Sequence, residues 1–130
     1  MNRQTIREQT MQLIFQMDAK NDFDYTNLNL IDENAKVLKQ SQAIETLEAI
    51  KNHLEEIDSF ISNNLEKWNF ERIAKTDLSI LRNAVAEMLY CENIPNSVAI
   101  NEAVNLAKKF GDEKSYAFIN SVLSKISKSL

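Results

Sequence analysis

An all-α fold follows from three features of the sequence: a single glycine, a single proline, and apolar residues recurring at steps of three and four. Hairpins, bulges and phosphate-cradling loops use glycine for positive φ or for close backbone approach. Gly111 and Pro95 are the sole residues of their kinds in 130. A chain so poor in both turns seldom, which favours long helices joined by polar loops. The length suits one domain, or two small helical halves that share a core. With 44% hydrophobic and 26% charged residues, the composition is that of an ordinary globular chain.

The first helix is expected over about residues 3–18, where Ile6, Thr10, Leu13, Ile14 and Met17 share one face. Residues 19–32 are rich in Asn and Asp, which compete for backbone hydrogen bonds and favour turns. A loop anchored by Phe23, Tyr25 and Leu28 is expected there. Helix returns by about Glu33, weakly through residues 39–41. Ile44, Leu47, Ile50, Leu54, Ile57, Ile61, Leu65 and Trp68 then keep helical spacing. One continuous helix satisfies that pattern, and so does a pair with Asp58 capping the second.

Beyond Trp68 the register lapses at residues 69–70, and Thr76 or Asp77 offers the next N-cap. Leu78, Leu81, Val85 and Met88, widened by Ile80, Ala84 and Leu89, give a face broad enough for a central helix. Residues 93–97 turn around Pro95. Ile100, Ala103, Val104 and Ala107 then face inward, Phe110 closes that helix, and Gly111 stands where a C-terminus favours a left-handed residue. Asp112 is placed to cap the last helix, whose face is Ile119, Val122, Leu123 and Ile126.

The same composition narrows the function classes. A lone glycine cannot build a P-loop or a dinucleotide fingerprint. One cysteine, Cys91, and one histidine, His53, leave no internal disulfide and no Cys/His zinc set. Cys91 reads as a small core filler and His53 as an exposed helix residue. Acidic residues are scattered and not clustered, so no catalytic set is recognised and no cofactor is expected. No apolar run nears the ~20 residues of a membrane span, and the start lacks a signal-peptide core. A cytoplasmic non-enzyme is the expectation.

Charge is uneven along the chain. Residues 18–71 hold 12 acids against 5 bases, whereas residues 103–130 hold five lysines against Asp112 and Glu113. Two differently charged partners would suit such a division, as would plain solvation. In the first helix Arg3, Arg7, Met11 and Phe15 lie four apart along one side. Two cations leading to a ring can bind phosphate and stack a base, and they can equally form a solvated edge.

The run Ile94-Pro95-Asn96-Ser97-Val98-Ala99-Ile100-Asn101-Glu102-Ala103-Val104-Asn105-Leu106-Ala107-Lys108-Lys109-Phe110-Gly111 resembles the signature of the NusB family. There a Pro-x-x-Val-Ala-Ile-Asn-Glu-Ala core leads to Leu-Ala-Lys and Phe-Gly. Upstream, Trp68 with Arg72-Ile73 and Asp77-Leu78-Ser79-Ile80-Leu81-Arg82 resembles the family's Trp…Arg-Leu…Asp-Arg-Ala-Ile-Leu-Arg. Downstream, Phe118-Ile119-Asn120-Ser121-Val122-Leu123-Ser124-Lys125 resembles Phe-Val-Asn-Gly-Val-Leu-x-Lys. Ile6-Arg7-Glu8 and Gln12-Leu13-Ile14-Phe15-Gln16 approximate patterns near the family's start. The similarity spans the chain and is dense from Trp68 onward.

The resemblance implies a bundle of about six to seven helices in two packed three-helix halves, at about residues 1–67 and 68–130. It implies binding of single-stranded boxA RNA together with NusE, a small-subunit ribosomal protein, within the antitermination complex of RNA polymerase on ribosomal RNA operons. In some members a homodimer covers the RNA surface. Arg3, Arg7, Phe15, Lys108, Lys109, Lys114, Tyr116 and Phe118 become the expected RNA contacts, cations on phosphates and rings on bases. Glu66, Glu71, Asp77 and Arg82 are expected to face NusE, which is basic in the family, while Asn101 and Glu102 either serve the site or tie helices together. Three positions depart from the pattern. Arg3-Gln4-Thr5-Ile6-Arg7 stands for Arg-Arg-x-Ala-Arg, Ser121 for a glycine, and Ala86 for an aromatic on the surface expected to meet NusE. Fewer cations at the start imply weak RNA binding by the chain alone. Two other readings are a detached NusB-like module of a ribosomal RNA cytosine methyltransferase and a helical adaptor that binds only protein. The first lacks the glycine-rich loop of a methyl-donor domain.

Overall fold

A computed structural model describes residues 1–30, 32–67 and 69–130, with residues 32–34 described by their backbone alone. Trp68, expected on the long apolar stripe and in the upstream motif, lies outside the described residues. Five α-helices are present among them: α1 (Arg3–Lys20), α2 (Ser41–Asn63), α3 (Lys75–Tyr90), α4 (Asn96–Phe110) and α5 (Ser115–Ser129). Three 3₁₀ segments, Tyr25–Asn27, Asp32–Lys39 and Phe70–Arg72, lie in the connections. The expected count of six to seven helices is therefore corrected to five. The segment before α2 winds in the tighter form, turning Val37 fully inward, and the stripe from Ile44 runs along α2 to Asn63 across a kink at His53 that joins two helical stretches.

Local chemistry explains the boundaries. Asn2 caps α1, its side chain accepting from Thr5 N at 2.8 Å, which satisfies a donor the helix leaves open. Asn21 ends it at φ 52°, the left-handed conformation that asparagine tolerates. The next loop is anchored as expected: Phe23, Tyr25 and Leu28 pack on the core, and Tyr25 Oη donates to Glu48 Oε2 at 2.6 Å. Asp58 starts no helix. It lies within α2, whose break falls earlier, at His53 (φ −134°, ψ 27°). The exposed His53 ring stacks on Tyr90 with centroids 4.2 Å apart. Neither Thr76 nor Asp77 caps α3, which begins at Lys75 after Ala74.

Every residue of α3 from Asp77 to Glu87 is buried, as befits a helix that packs against α1, α2, α4 and α5. Ala86, expected on a partner-facing surface, lies fully inside this core. Burial on all sides leaves α3's charged residues needing partners within the protein. Arg82 donates Nε and Nη2 to the two oxygens of Asp58, each at 2.9 Å. Its Nη1 lies 3.6 Å from Asp18 of α1, and its guanidinium covers the Phe23 ring at 4.8 Å. At the other end of α3, Glu87 is 2% exposed and takes Arg7 Nε and Nη2 at 2.9 and 2.7 Å. Cys91 is buried, and burial pushes its thiol up to about 11.

α4 faces the core with Ala99, Ala103, Leu106 and Ala107; Ile100 and Val104, expected inside, are half-buried. Small side chains let α4 lie close to α3 and α5. The link to α5 is tight. Gly111 is extended (φ −89°, ψ −174°), not left-handed as expected. Its lack of a side chain matters for space: a Cβ would stand 2.5 Å from Ser115 Cβ and 2.8 Å from the Ala107 carbonyl oxygen. Asp112 then shapes the turn, Oδ1 accepting from Lys114 N at 2.8 Å, while Ser115 Oγ accepts from Asp112 N at 3.0 Å. α5 buries Ile119, Val122, Leu123 and Ile126 as predicted.

Two stability measurements test these constraints. Glu87→Ala strands a buried guanidinium and should cost about 3–5 kcal/mol in denaturant unfolding, with Arg7→Leu/Glu87→Leu recovering at least half. A double variant as unstable as the single one would show that the ion pair itself carries the stability. Gly111→Ala should cost about 1–3 kcal/mol, the usual penalty of forcing a methyl into packed space; an unchanged unfolding midpoint would mean the junction yields freely.

Candidate nucleic-acid interface

Cations and rings collect where α4 gives way to α5. Lys108 and Lys109 occupy the last turn of α4, where positive charge is favoured by the helix dipole. Lys108 Nζ lies 5.4 Å from the Tyr116 ring centroid, and Lys109 Nζ lies 5.4 Å from that of Phe110. Lys109 also bonds the Glu8 carboxylate, tying α4 to α1. Such an exposed pair is worth little, so a phosphate can displace Glu8 cheaply. Lys114 and Tyr116 are exposed and Phe118 is half-buried.

Phe15 on α1 is 40% exposed. It borders a shallow basin with Phe110 and Thr76. The next residue, Asp77, lines a cleft of about 210 Å³ together with Arg72, Lys114 and Phe118. Thr76 and Asp77 adjoin in sequence at the start of α3, so Phe15 and Phe110 border one depression beside that end and Lys114 and Phe118 another. Phe110 and Arg72 were missed in the sequence. Phe110 read as the close of a helix, although its position beside Lys108 and Lys109 is a signal for stacking next to charge.

Arg3 is exposed and shares a cleft of about 300 Å³ with Glu45 and Glu102. Arg7 does not continue the stripe. It is 6% exposed, bound by Glu87 and 3.8 Å from Glu102, so the structure places an expected phosphate contact in the interior. Its bidentate bonds use the donors that a phosphate would take. Of the helix-tying pair, Glu102 reaches Arg7, while Asn101 is exposed.

The residues expected to face NusE do not form one patch. Arg82 is buried among Asp58, Asp18 and Phe23 and presents no surface. Glu66 is exposed and paired with Lys125 at 2.8 Å, a bond that holds its carboxyl below the ordinary range. Glu71 borders an acidic groove of about 440 Å³ with Glu55 and Asp58. These two acids were also missed, because helical spacing alone does not say which exposed acids gather. Asp77 is 8% exposed and sits with Lys114 and Phe118, not with Glu71.

Burial pushes the Asp77 carboxyl above its ordinary range; Ser115 pulls it down and the Asp112 charge adds to the rise. The folded chain thus holds this proton more tightly than the unfolded one. Protonated Asp77 favours folding, and that contribution fades as pH rises from the ordinary carboxylate range through the folded value. Asp77→Asn should therefore raise Tm at pH 7 by about 3 °C, with the gain disappearing near about pH 3. A lower Tm at pH 7 would mean that the carboxylate stabilises the fold.

Comparison with known proteins agrees with this architecture. The NusB family model matches residues 4–128. The chain is 45% identical to transcription antitermination protein NusB of Bacillus mycoides (strain KBAB4), with the whole of both chains covered. It is 42% identical to the protein of that name from Finegoldia magna, covering 98% of this chain and 95% of the relative. Among solved structures, T. maritima NusB superposes with a TM-score of 0.78 at 30% identity, covering 98% and 92%. A crystal structure of antitermination factors NusB and NusE in complex with dsRNA gives 0.74 at 25%, covering 98% and 97%. The chain belongs to the NusB family.

Proposed function

We propose that this chain is a transcription antitermination factor that binds single-stranded boxA RNA jointly with NusE and supports read-through of ribosomal RNA operons by RNA polymerase. The observation that carries the reading is the gathering of Lys108, Lys109 and Lys114 with the rings of Phe110, Tyr116 and Phe118 around the α4–α5 junction. Exposed cations track a flexible phosphate backbone, and rings offer stacking faces to unpaired bases. Arg3, Lys108, Lys109 and Lys114 are the phosphate contacts in this reading, with Phe15, Tyr116 and Phe118 supplying rings. Arg7 acts at one remove, by holding α1 against α3.

NusE is assigned to the acidic groove at Glu71, Glu55 and Asp58, and Glu66 lies outside it. Opposite charge chiefly speeds encounter and sets orientation. Asp58 already neutralises Arg82, so Glu55 and Glu71 supply the groove's free charge. With Arg3 the one exposed arginine at the start of α1, the chain alone should hold RNA weakly, and NusE completes the site. This surface favours the RNA-binding reading over an adaptor that binds only protein.

One titration series tests the assignment. The chain with NusE should bind boxA RNA at least about tenfold tighter than the chain alone, and equal affinities would sink joint binding. Arg3→Glu/Lys109→Glu should abolish RNA binding while NusE binding remains, and neutralising both cations should reduce the salt slope by about 1.4. RNA binding untouched by these changes would move the site elsewhere.

A further inference from the structure

Asp77 lies in a place where a carboxylate is expensive to keep. Its Oδ1 is buried without a hydrogen-bond partner. The residue is 8% exposed and lines the cleft of about 210 Å³ between the start of α3 and the start of α5. Arg72 and Lys114 are exposed at its rim, and the Phe118 ring forms part of its wall. A buried acceptor atom that finds no donor in the protein is costly unless a ligand supplies one. Ser115, also on the lining, hydrogen-bonds the Asp77 carboxylate and accepts from Asp112 N with its Oγ at 3.0 Å, yet Asp77 Oδ1 itself stays without a partner.

We propose that this cleft receives one guanine base of the bound RNA strand, with Asp77 accepting from the base's N1–H and N2–H₂ edge. The assignment rests on the RNA-binding reading and adds a base preference to it. An ionised carboxylate only accepts hydrogen bonds. Adenine and cytosine each place a ring acceptor beside their amino group, and uracil flanks its one N–H with two carbonyls. Guanine alone offers two adjacent donors. Unpaired bases in protein–RNA complexes are held in this way, by a ring on the face and polar groups on the edge. The cations at the rim favour a ligand that carries phosphates on either side of the base. They disfavour the competing occupant, an arginine side chain of a protein partner, whose charge they would repel.

The test uses the complex of the full chain with NusE and oligouridine strands of about twelve nucleotides, a length that spans a single-strand site. Each strand carries one guanine, placed at successive positions and compared with inosine and adenine there. At one position guanine should bind about tenfold tighter than inosine, which lacks the 2-amino group, as a hydrogen bond to a charged acceptor predicts. Asp77→Asn should shrink that preference to within about twofold while leaving affinity for the all-uridine strand within about twofold. Lys114→Gln should weaken every strand alike, which separates a phosphate contact from a base contact.

A wild-type complex with no guanine preference at any position overturns the assignment, as does Asp77→Asn retaining the preference. Loss of NusE affinity in Asp77→Asn with base preference intact also overturns it, in favour of a protein cation in the cleft. If no strand binds the wild-type complex, boxA RNA included, the RNA-binding reading falls and takes this assignment with it. Binding without preference removes the guanine assignment alone.

Discussion

The alignment of α1 on α3 is the constraint on which the rest of this molecule depends, and two buried arginines set it. Arg7 meets Glu87 near the start of α1, and Asp18 approaches Arg82 near its end. Those points lie roughly 16 Å apart along α1 at 1.5 Å per residue. The chain numbers run in opposite directions along the two helices, so the pair is antiparallel. A slip by one turn would part Arg7 from Glu87 and strand two charges in the core, while Arg82 would keep Asp58 of α2. Phe15 stands on α1 between these two contacts and borders the basin with Thr76 and Phe110.

The candidate surface inherits its rigidity from these buried contacts and its charge from outside them. α4 is held close by alanines, and Gly111 allows the chain to turn against Ser115 without a clash. Lys114 and Phe118 are thereby brought to the same cleft as Asp77, some forty residues earlier in the chain. The cations that face solvent are then presented by helix ends and a tight turn, not by a long loop. Placement on regular elements keeps the ordering cost of binding low.

How much of this was legible in the sequence differs by residue. The inward faces of α1 and α5 were readable because three-and-four spacing reports directly which side of a helix avoids water. The central position of α3 was readable from the breadth of its apolar face. Arg7 and Arg82 were not read correctly, because spacing cannot report where a buried charge will find a partner. Arg7 lies one turn from the exposed Arg3, yet its partner is 80 residues away. The signal available was Glu87, a charge set in the apolar run from Ile80 to Leu89, which has to be neutralised by something. Gly111 was placed correctly at a helix end, but its reason is a neighbour four residues on, not its own φ. The grouping of Glu55, Asp58 and Glu71 depends on how α2 meets the turn at Phe70, a tertiary fact that charge counts do not contain.

The burial of α3 from Asp77 to Glu87 has a consequence for how the chain comes to be folded. As the polypeptide emerges from the ribosome, α1 and α2 appear before the helix against which both pack. Until α3 follows, the apolar face of α2 lacks its main support and Arg7 has no counter-ion. Helices alone in water are marginal without such packing. Acquisition of structure is then a late and collective event, in which the last helices arrive almost together with the first stable state. Slowest amide exchange should consequently mark α3, at the free energy of global unfolding. Most of the chain must therefore be translated before its core can close.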